Sequence, residues 1–344
     1  MGSVKDLEIL KKPDGDNLGI GRFKFSDDYS VMDWGKMPDP IRYKGASLCM
    51  AGGYCFERAE DDGMNTHYRG LVNKEGKVVY TDELDKPTNV MEVDLVRVFP
   101  PEFKDGKYHY ANRQSINNSL VPLEVIYRNY LPKGSSVFRR LERGEISYGD
   151  LGLDHYPEQG EKLDNPFLDV STKLEETDRY LDWGEAQKLA SLNNAEVDEI
   201  KTTLLNTNNL ITKIAGKAGL VNEDGKIELA YNADGELMLV DVMGTLDECR
   251  FTYEGIPVSK EIAREYYRNS IWGNDVENSK RVAKEMGIKD WRNLCRSDPP
   301  HLGEGLDEII SNMYTSTANE FLGRDFFDAP KLKEVIEDYK VWVY

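Results

Sequence analysis

Residues 226–242, KIELAYNADGELMLVDV, leave this chain little freedom of fold. An Asp-Gly pair between two apolar, β-prone runs is a strong hairpin signal, so the runs must lie adjacent and antiparallel. With Asp234 and Gly235 as the two central turn residues, Ala233 pairs with Glu236 and Glu228 stands directly opposite Asp241. Like charges facing each other across a ladder are unfavourable. They are tolerated where one acid is protonated, where both are solvated, or where a cation lies between them. The run ELMLV before Asp241 argues for burial. Two carboxylates one cross-strand distance apart suit Mg²⁺, which keeps several waters and takes up phosphate oxygens. An exposed hairpin with ordinary surface acids is the competing reading.

A second stretch, RNYLPKGSSVFRR (128–140), is unusual because of the chain around it. The 344 residues carry 62 Asp+Glu against 44 Lys+Arg, a formal charge of −18. That balance argues against nucleic acid or an anionic membrane as a partner, while allowing a small anion in a locally basic pocket. Backbone N–H groups of Gly134, Ser135 and Ser136, with Arg128, Lys133, Arg139 and Arg140, could surround a phosphate. A solvated surface turn is the alternative. In GTLDECRF, Arg250 could close on a phosphate or carboxylate, or could simply pair with Asp247 or Glu248.

The length suggests two domains or one large elaborated one. The first 120 residues read as β-rich, with strands at 4–10, 18–25, 66–73, 77–81 and 90–99 and a helix over 45–59 that Gly52 and Gly53 weaken. Residues 100–119 read as a lobe boundary. A strand is expected at 120–129, no clear element over 142–166, and a long amphipathic helix over 195–218 capped by Asn194. Helices are expected near 259–269 (with Ser259 as a start signal), 276–286, 305–322 and 330–339. The four cysteines form no CxxC pair and only four histidines are present, so zinc and disulfides are not expected; a reducing cytoplasm is. The N-terminus has no secretory pattern, and no apolar run approaches membrane-spanning length.

Taken together, VPLEVIYRNYLPKGSSVFRR and DGKIELAYNADGELMLVDVMGTLDECRF resemble signatures of the phosphoribosylaminoimidazole-succinocarboxamide synthase (SAICAR synthetase) family. GSVKDL (2–7) is similar to that family's phosphate-contacting first hairpin. DYSVMD (28–33), KG (44–45), NTH (65–67) and STKLEETD (171–178) resemble further family segments in the same order. The resemblance runs from about residue 2 to 268. It implies an α+β, two-lobed fold: a β-rich N-terminal lobe (1–110), an ATP-grasp-like or kinase-like C-terminal lobe (111–268) and a helical extension (269–344). It also implies the ATP-dependent joining of carboxyaminoimidazole ribotide to L-aspartate, with ATP and Mg²⁺ as cofactors and a homo-oligomeric state.

By the same resemblance, Glu228 and Asp241 would hold Mg²⁺ at the ATP phosphates, with Gly2, Ser3 and Lys5 against them. Lys226 and Asp178 would lie near the reacting groups. Arg128, Glu124, Lys133, Ser135, Ser136 and Arg250 would contact the ribotide. The chain departs from the pattern at Ser3, where many members have Lys, and at Leu229-Ala230, Val242 and Leu246. These departures leave room for another carboxylate–amine pair on the same scaffold. A small-molecule kinase and a non-catalytic nucleotide-binding protein are the readings from other classes. Lys5, Lys226, Glu228, Asp241 and Arg250 together speak against the last.

Overall fold

The computed structural model describes residues 4–113, 116–258 and 260–343, so Gly2, Ser3 and Ser259 lie outside the described residues. The predicted first hairpin is β1 (Lys5–Lys11) and β2 (Gly19–Phe25). Helix α1 (Lys44–Asp61) follows, then β3 (Tyr68–Val72), β4 (Val78–Val79) and β5 (Val90–Leu95), which complete an antiparallel sheet in the order β1-β2-β5-β3-β4. The two glycines that weaken α1 as a sequence prediction let it pack closely. A Cβ at Gly53 would meet the Leu71 side chain at 3.0 Å, and one at Gly52 would meet Val242 at 3.1 Å.

A small two-stranded hairpin, β6 (Glu102–Lys104) and β7 (Lys107–His109), precedes the second sheet. That sheet is built from β8 (Ser119–Leu131), β9 (Glu161–Thr172), β10 (Tyr180–Leu181), β11 (Val221–Tyr231), β12 (Leu237–Val240), β13 (Cys249–Tyr253) and β14 (Ile256–Pro257). Its order is β10-β9-β8-β11-β13-β14, with β12 also on β11. Three helices punctuate it: α2 (Ser136–Glu142), α3 (Trp183–Leu189) and α4 (Asn194–Lys217). Helices α5 (Glu261–Arg268), α6 (Ile271–Met286), α7 (Leu306–Leu322) and α8 (Leu332–Val343) complete the chain. The α+β class expected from the sequence is what forms.

Three expectations are corrected. The 226–242 hairpin closes one residue out of the predicted register, with Glu228 opposite Val240 and Tyr231 opposite Leu237. Its loop has three residues, not two: Asn232 N–H bonds Glu236 O at 3.0 Å, and Gly235 takes the left-handed conformation at φ 81° that such loops require. Second, β9 begins inside the stretch read as featureless. Its ladder breaks between Lys162 and Phe167, where Pro166 cannot donate, and this break hides the strand's alternation. Third, Asn193 rather than Asn194 caps α4, in a reciprocal box with Glu196 (3.0 and 2.7 Å).

The C-terminal helices are integral to the core. Ser311 on α7 donates to Arg42 O at 2.7 Å. Tyr314 on the same helix donates to Asp247 Oδ1 at 2.6 Å, and Lys44 Nζ lies 2.7 Å from Asp247 Oδ2 with its side chain fully buried. Burial opposes the Asp247 charge, but the ammonium groups of Lys44 and Lys260 prevail and hold its carboxyl well below the usual carboxylate range.

Removing one partner of such a pair strands a buried charge, so Lys44→Met should cost about 3–5 kcal/mol in denaturant-induced unfolding. A carboxyl depressed in the folded state adds stability that is complete above its unfolded pKa of roughly 3.9 and lost as pH falls. Asp247→Asn should therefore flatten the acid limb of the stability profile relative to wild type.

Candidate active site

Strand β11 organises the site. Asp224, Lys226 and Glu228 alternate along it and so share one face. On its flank, Asp224 pairs in register with Arg128 of β8 and with Arg250 of β13. Beside this face opens a cleft of about 1290 Å³ whose walls include Arg128, Ser136, Arg139, Asp178, Lys226 and Arg250. The opposite wall comes from α5 and α6 and the segment after them, with Lys260, Arg264, Arg268, Lys280, Lys284 and Arg292. Cations thus outnumber the acids, Asp224, Asp247, Glu248 and Glu261 among them, in the cleft of an otherwise acidic chain.

At its basic end, Arg128 is almost fully buried between two carboxylates, Asp169 at 3.0 Å and Asp224 at 3.2 Å. It also donates to Ser136 Oγ and Tyr180 OH, each at 3.3 Å. Arg250 grips Asp224 through two nitrogens. Arg140 reaches Asp169 at 2.6 Å and stacks on Tyr180, whereas Arg139 faces the cleft from an exposed position. Ser135 is the buried cap of α2 and accepts from Val137 N–H. Lys133 stands apart: its side chain is 70% exposed and its partner is Glu265, 3.9 Å away.

From the floor of the cleft, charges run inward toward β1. Lys226 Nζ lies 2.9 Å from Glu124 and 3.4 Å from Glu248. Glu124 is 3.5 Å from Lys173, and Lys173 is 2.5 Å from Glu228. At the far end, Lys5 Nζ meets Asp241 Oδ1 at 2.6 Å and lies over the Phe23 ring. Asp241 immediately follows β12 at φ 65°, and its carbonyl accepts from His67 Nε2 at 3.1 Å. Burial holds His67 neutral, with its pKa pushed down to about 4.

Between Glu228 and Asp241 the alternation fails, and two anions adjoin. Burial first, and then Asp241, raise the Glu228 carboxyl; Asp241 itself is held low by Lys5 against its own burial. That junction fits a divalent cation by its chemistry. Among the described residues no group of three or more His, Cys, Asp or Glu could hold a metal. Two carboxylates would leave most positions around a Mg²⁺ ion to waters and phosphate oxygens. Lys226 is the converse case: burial would discharge it, but Glu248, Glu124 and Glu228 outweigh burial and keep it firmly protonated. At the rim, the Asp178 carboxyl is raised by its walled-in position and by Glu124.

The chain matches the SAICAR synthetase family over residues 16–285. It belongs to that family. A protein of Archaeoglobus fulgidus with the provisional name phosphoribosylaminoimidazole-succinocarboxamide synthase is 48% identical over 340 residues, covering 99% of each chain. The phosphoribosylaminoimidazole-succinocarboxamide synthase of Thermoplasma acidophilum is 30% identical, covering 94% of this chain and 97% of its own. Among solved structures, the SAICAR synthase of Saccharomyces cerevisiae in complex with SAICAR shares the fold, with a TM-score of 0.59 at 17% identity over 94% and 93% of the two chains. A SAICAR synthetase in complex with ADP superposes with a TM-score of 0.56 at 18% identity over 88% and 99%.

The structure brings Lys5, Glu124, Lys226, Glu228 and Asp241 into one network, and Arg128, Ser136 and Arg250 into another beside it. Lys173 joins the first network without having been singled out as a site residue; its signal was the Lys of STKLEETD. Asp169 and Asp224 were missed because a carboxylate opposite an arginine leaves no local motif.

Lys173 lies between Glu124 and Glu228, so Lys173→Met removes charge where phosphate charge would develop. It should lower kcat/KM about 10²-fold, measured at a temperature where circular dichroism shows the variant fully folded.

Proposed function

We propose that this cleft carries out ATP-dependent condensation of carboxyaminoimidazole ribotide with L-aspartate, giving SAICAR, ADP and phosphate in purine biosynthesis. The observation that carries the reading is the inward run of charges ending where Glu228 and Asp241 adjoin, next to a cationic cleft. A carboxylate is a poor acyl donor, so the ribotide carboxylate must be activated by phosphoryl transfer before the aspartate amine displaces phosphate. Such a sequence asks the protein for positioning and charge stabilisation, not for a covalent nucleophile.

Glu228 and Asp241 would hold Mg²⁺, which when bound neutralises charge on the nucleotide phosphates. Lys5, released from Asp241, would face the same phosphates. Lys173 and Lys226 remain charged beside the transferring group and balance its oxygens. Arg128, Arg250 and Ser136 orient the ribotide phosphate, while the raised Asp178 carboxyl can take a proton from the incoming amine. Val242 and Leu246, the departures from the family pattern, are both buried, and Val242 packs near Gly52 of α1. Val242 stands where the family pattern has a second acid after Asp241, so Glu228 would carry more of the coordination, while Leu246, in place of the pattern's Pro, alters packing. A cytoplasmic, homo-oligomeric enzyme completes the proposal. The four cysteines are free, and among the described residues no helix is long and apolar enough to cross a membrane.

The test is ADP release with Mg-ATP, the ribotide and L-aspartate, omitting each in turn. Turnover should require all three and fall at least about 10²-fold in Asp241→Asn. ADP release without the amine would point to a kinase, and ATP binding without turnover would point to another carboxylate–amine pair.

A further inference from the structure

The exposed hairpin β6–β7 has no place in the reaction as described, yet its polar contacts converge on one loop of the site. Its turn is rigid. Asp105 and Gly106 take φ of 52° and 75°, the paired left-handed conformation of a two-residue hairpin loop. Phe103 and Tyr108 face each other across the strands with ring centroids 4.8 Å apart, which fixes the Tyr108 ring. Among the described residues the two strands pair only with each other. A lone hairpin is marginal in water, so its order must come from what it docks against.

It docks on residues 173–178, the loop between β9 and β10. Tyr110, just past β7, donates its hydroxyl to Glu175 Oε1 at 2.7 Å, and the backbone N–H of Glu176 donates to Tyr108 OH at 3.1 Å. The Glu175 side chain is only 4% exposed, and Arg179 approaches it at 3.6 Å. The base of the loop is pinned by Thr172, which exchanges bonds of 2.9 and 3.0 Å with Arg179. Between these anchors Leu174 is held at φ 76°, a conformation costly for a branched side chain. The inner side of this strained loop carries Lys173, on Glu228, and Asp178, at the cleft.

We infer that the β6–β7 hairpin is a brace for this catalytic loop, with Tyr108 and Tyr110 as positioning residues that hold Lys173 and Asp178 against the cleft. The inference rests on the ligase reading for what the loop does, but not for how it is held. Burial and then Glu175 push the Tyr110 hydroxyl above its ordinary range, so it stays a donor at any working pH.

The test compares wild type with Tyr108→Phe/Tyr110→Phe and with Glu175→Gln, whose amide oxygen can still accept from Tyr110. The double variant should lose about 10- to 100-fold in kcat, as expected for a misplaced catalytic group. Its KM for ATP and its melting temperature should stay near wild type. Trypsin should cut it several-fold faster after Lys173 and Arg179 in the native state. Glu175→Gln should retain wild-type kcat. Unchanged kcat and cleavage in the double variant would overturn the brace, as would a loss of kcat that merely follows a loss of folded protein. Should wild type show no ligase turnover, the proposed function fails, and the cleavage rates still decide the brace.

Discussion

Asp247, its side chain only 7% exposed, is the point where three distant parts of the chain meet. Lys44 opens α1, Asp247 sits in the turn before β13, and Tyr314 lies in the middle of α7. A carboxylate buried this deeply is tolerated only with its partners in place, so none of the three segments can move away alone without stranding a charge. The consequence for the site is direct. The segment anchored by Asp247 continues into Glu248 and Arg250, the groups that face Lys226 and Asp224. The geometry of both networks is thereby tied to the packing of the C-terminal helices.

The cations along the inner run and at Asp224 are paired with carboxylates of the fold. Each principal cation leans on a carboxylate: Lys5 on Asp241, Lys173 on Glu228, Lys226 on Glu124, Arg250 on Asp224. This keeps buried charges satisfied without ligand and holds the long side chains near the positions where substrate anions would need them. It also means that an anionic ligand competes with resident carboxylates, so binding exchanges partners instead of filling vacant donors. Glu124 and Glu228 face each other across the ladder with Lys173 between them, whereas Glu228 and Asp241 adjoin with their lysines on the outer sides. A metal-bound nucleotide brings positive charge to that spot, while its phosphates meet the lysines on either side.

Much of this was legible in the sequence, and the failures have physical causes. Hairpins and amphipathic helices were readable because their signals are local: Asp14-Gly15, the 3-to-4 spacing along α4, the Asp-Gly loop of β11–β12. The hairpin register was not, since Asp-Gly serves both two- and three-residue loops and the choice depends on the flanking Asn232, whose side chain accepts from the N–H groups of Asp234 and Glu236. The Glu228–Asp241 encounter survived the error because Asp241 leaves the strand in a left-handed turn, which no register calculation includes. Lys173 escaped for a different reason. Its position depends on a loop braced from a hairpin some sixty residues earlier, and Tyr110 and Glu175 carry no signal linking them.

The C-terminal helices show the same limit most clearly. Their amphipathic pattern gives their existence and approximate ends, and nothing in it says where the polar face points. In the fold that face supplies Lys260, Arg264 and Lys280 to the cleft, while the apolar face packs Trp272 and Tyr267 against Trp34 and Tyr29 of the N-terminal part. A helix that buries one side on the first 40 residues must turn its other side toward the second sheet. Lining the cleft and closing the core are therefore one structural event. This explains how a chain with so large an excess of acid gathers its cations in one place: a basic cleft within a negative surface field concentrates anionic ligands where they react and turns polyanions away elsewhere.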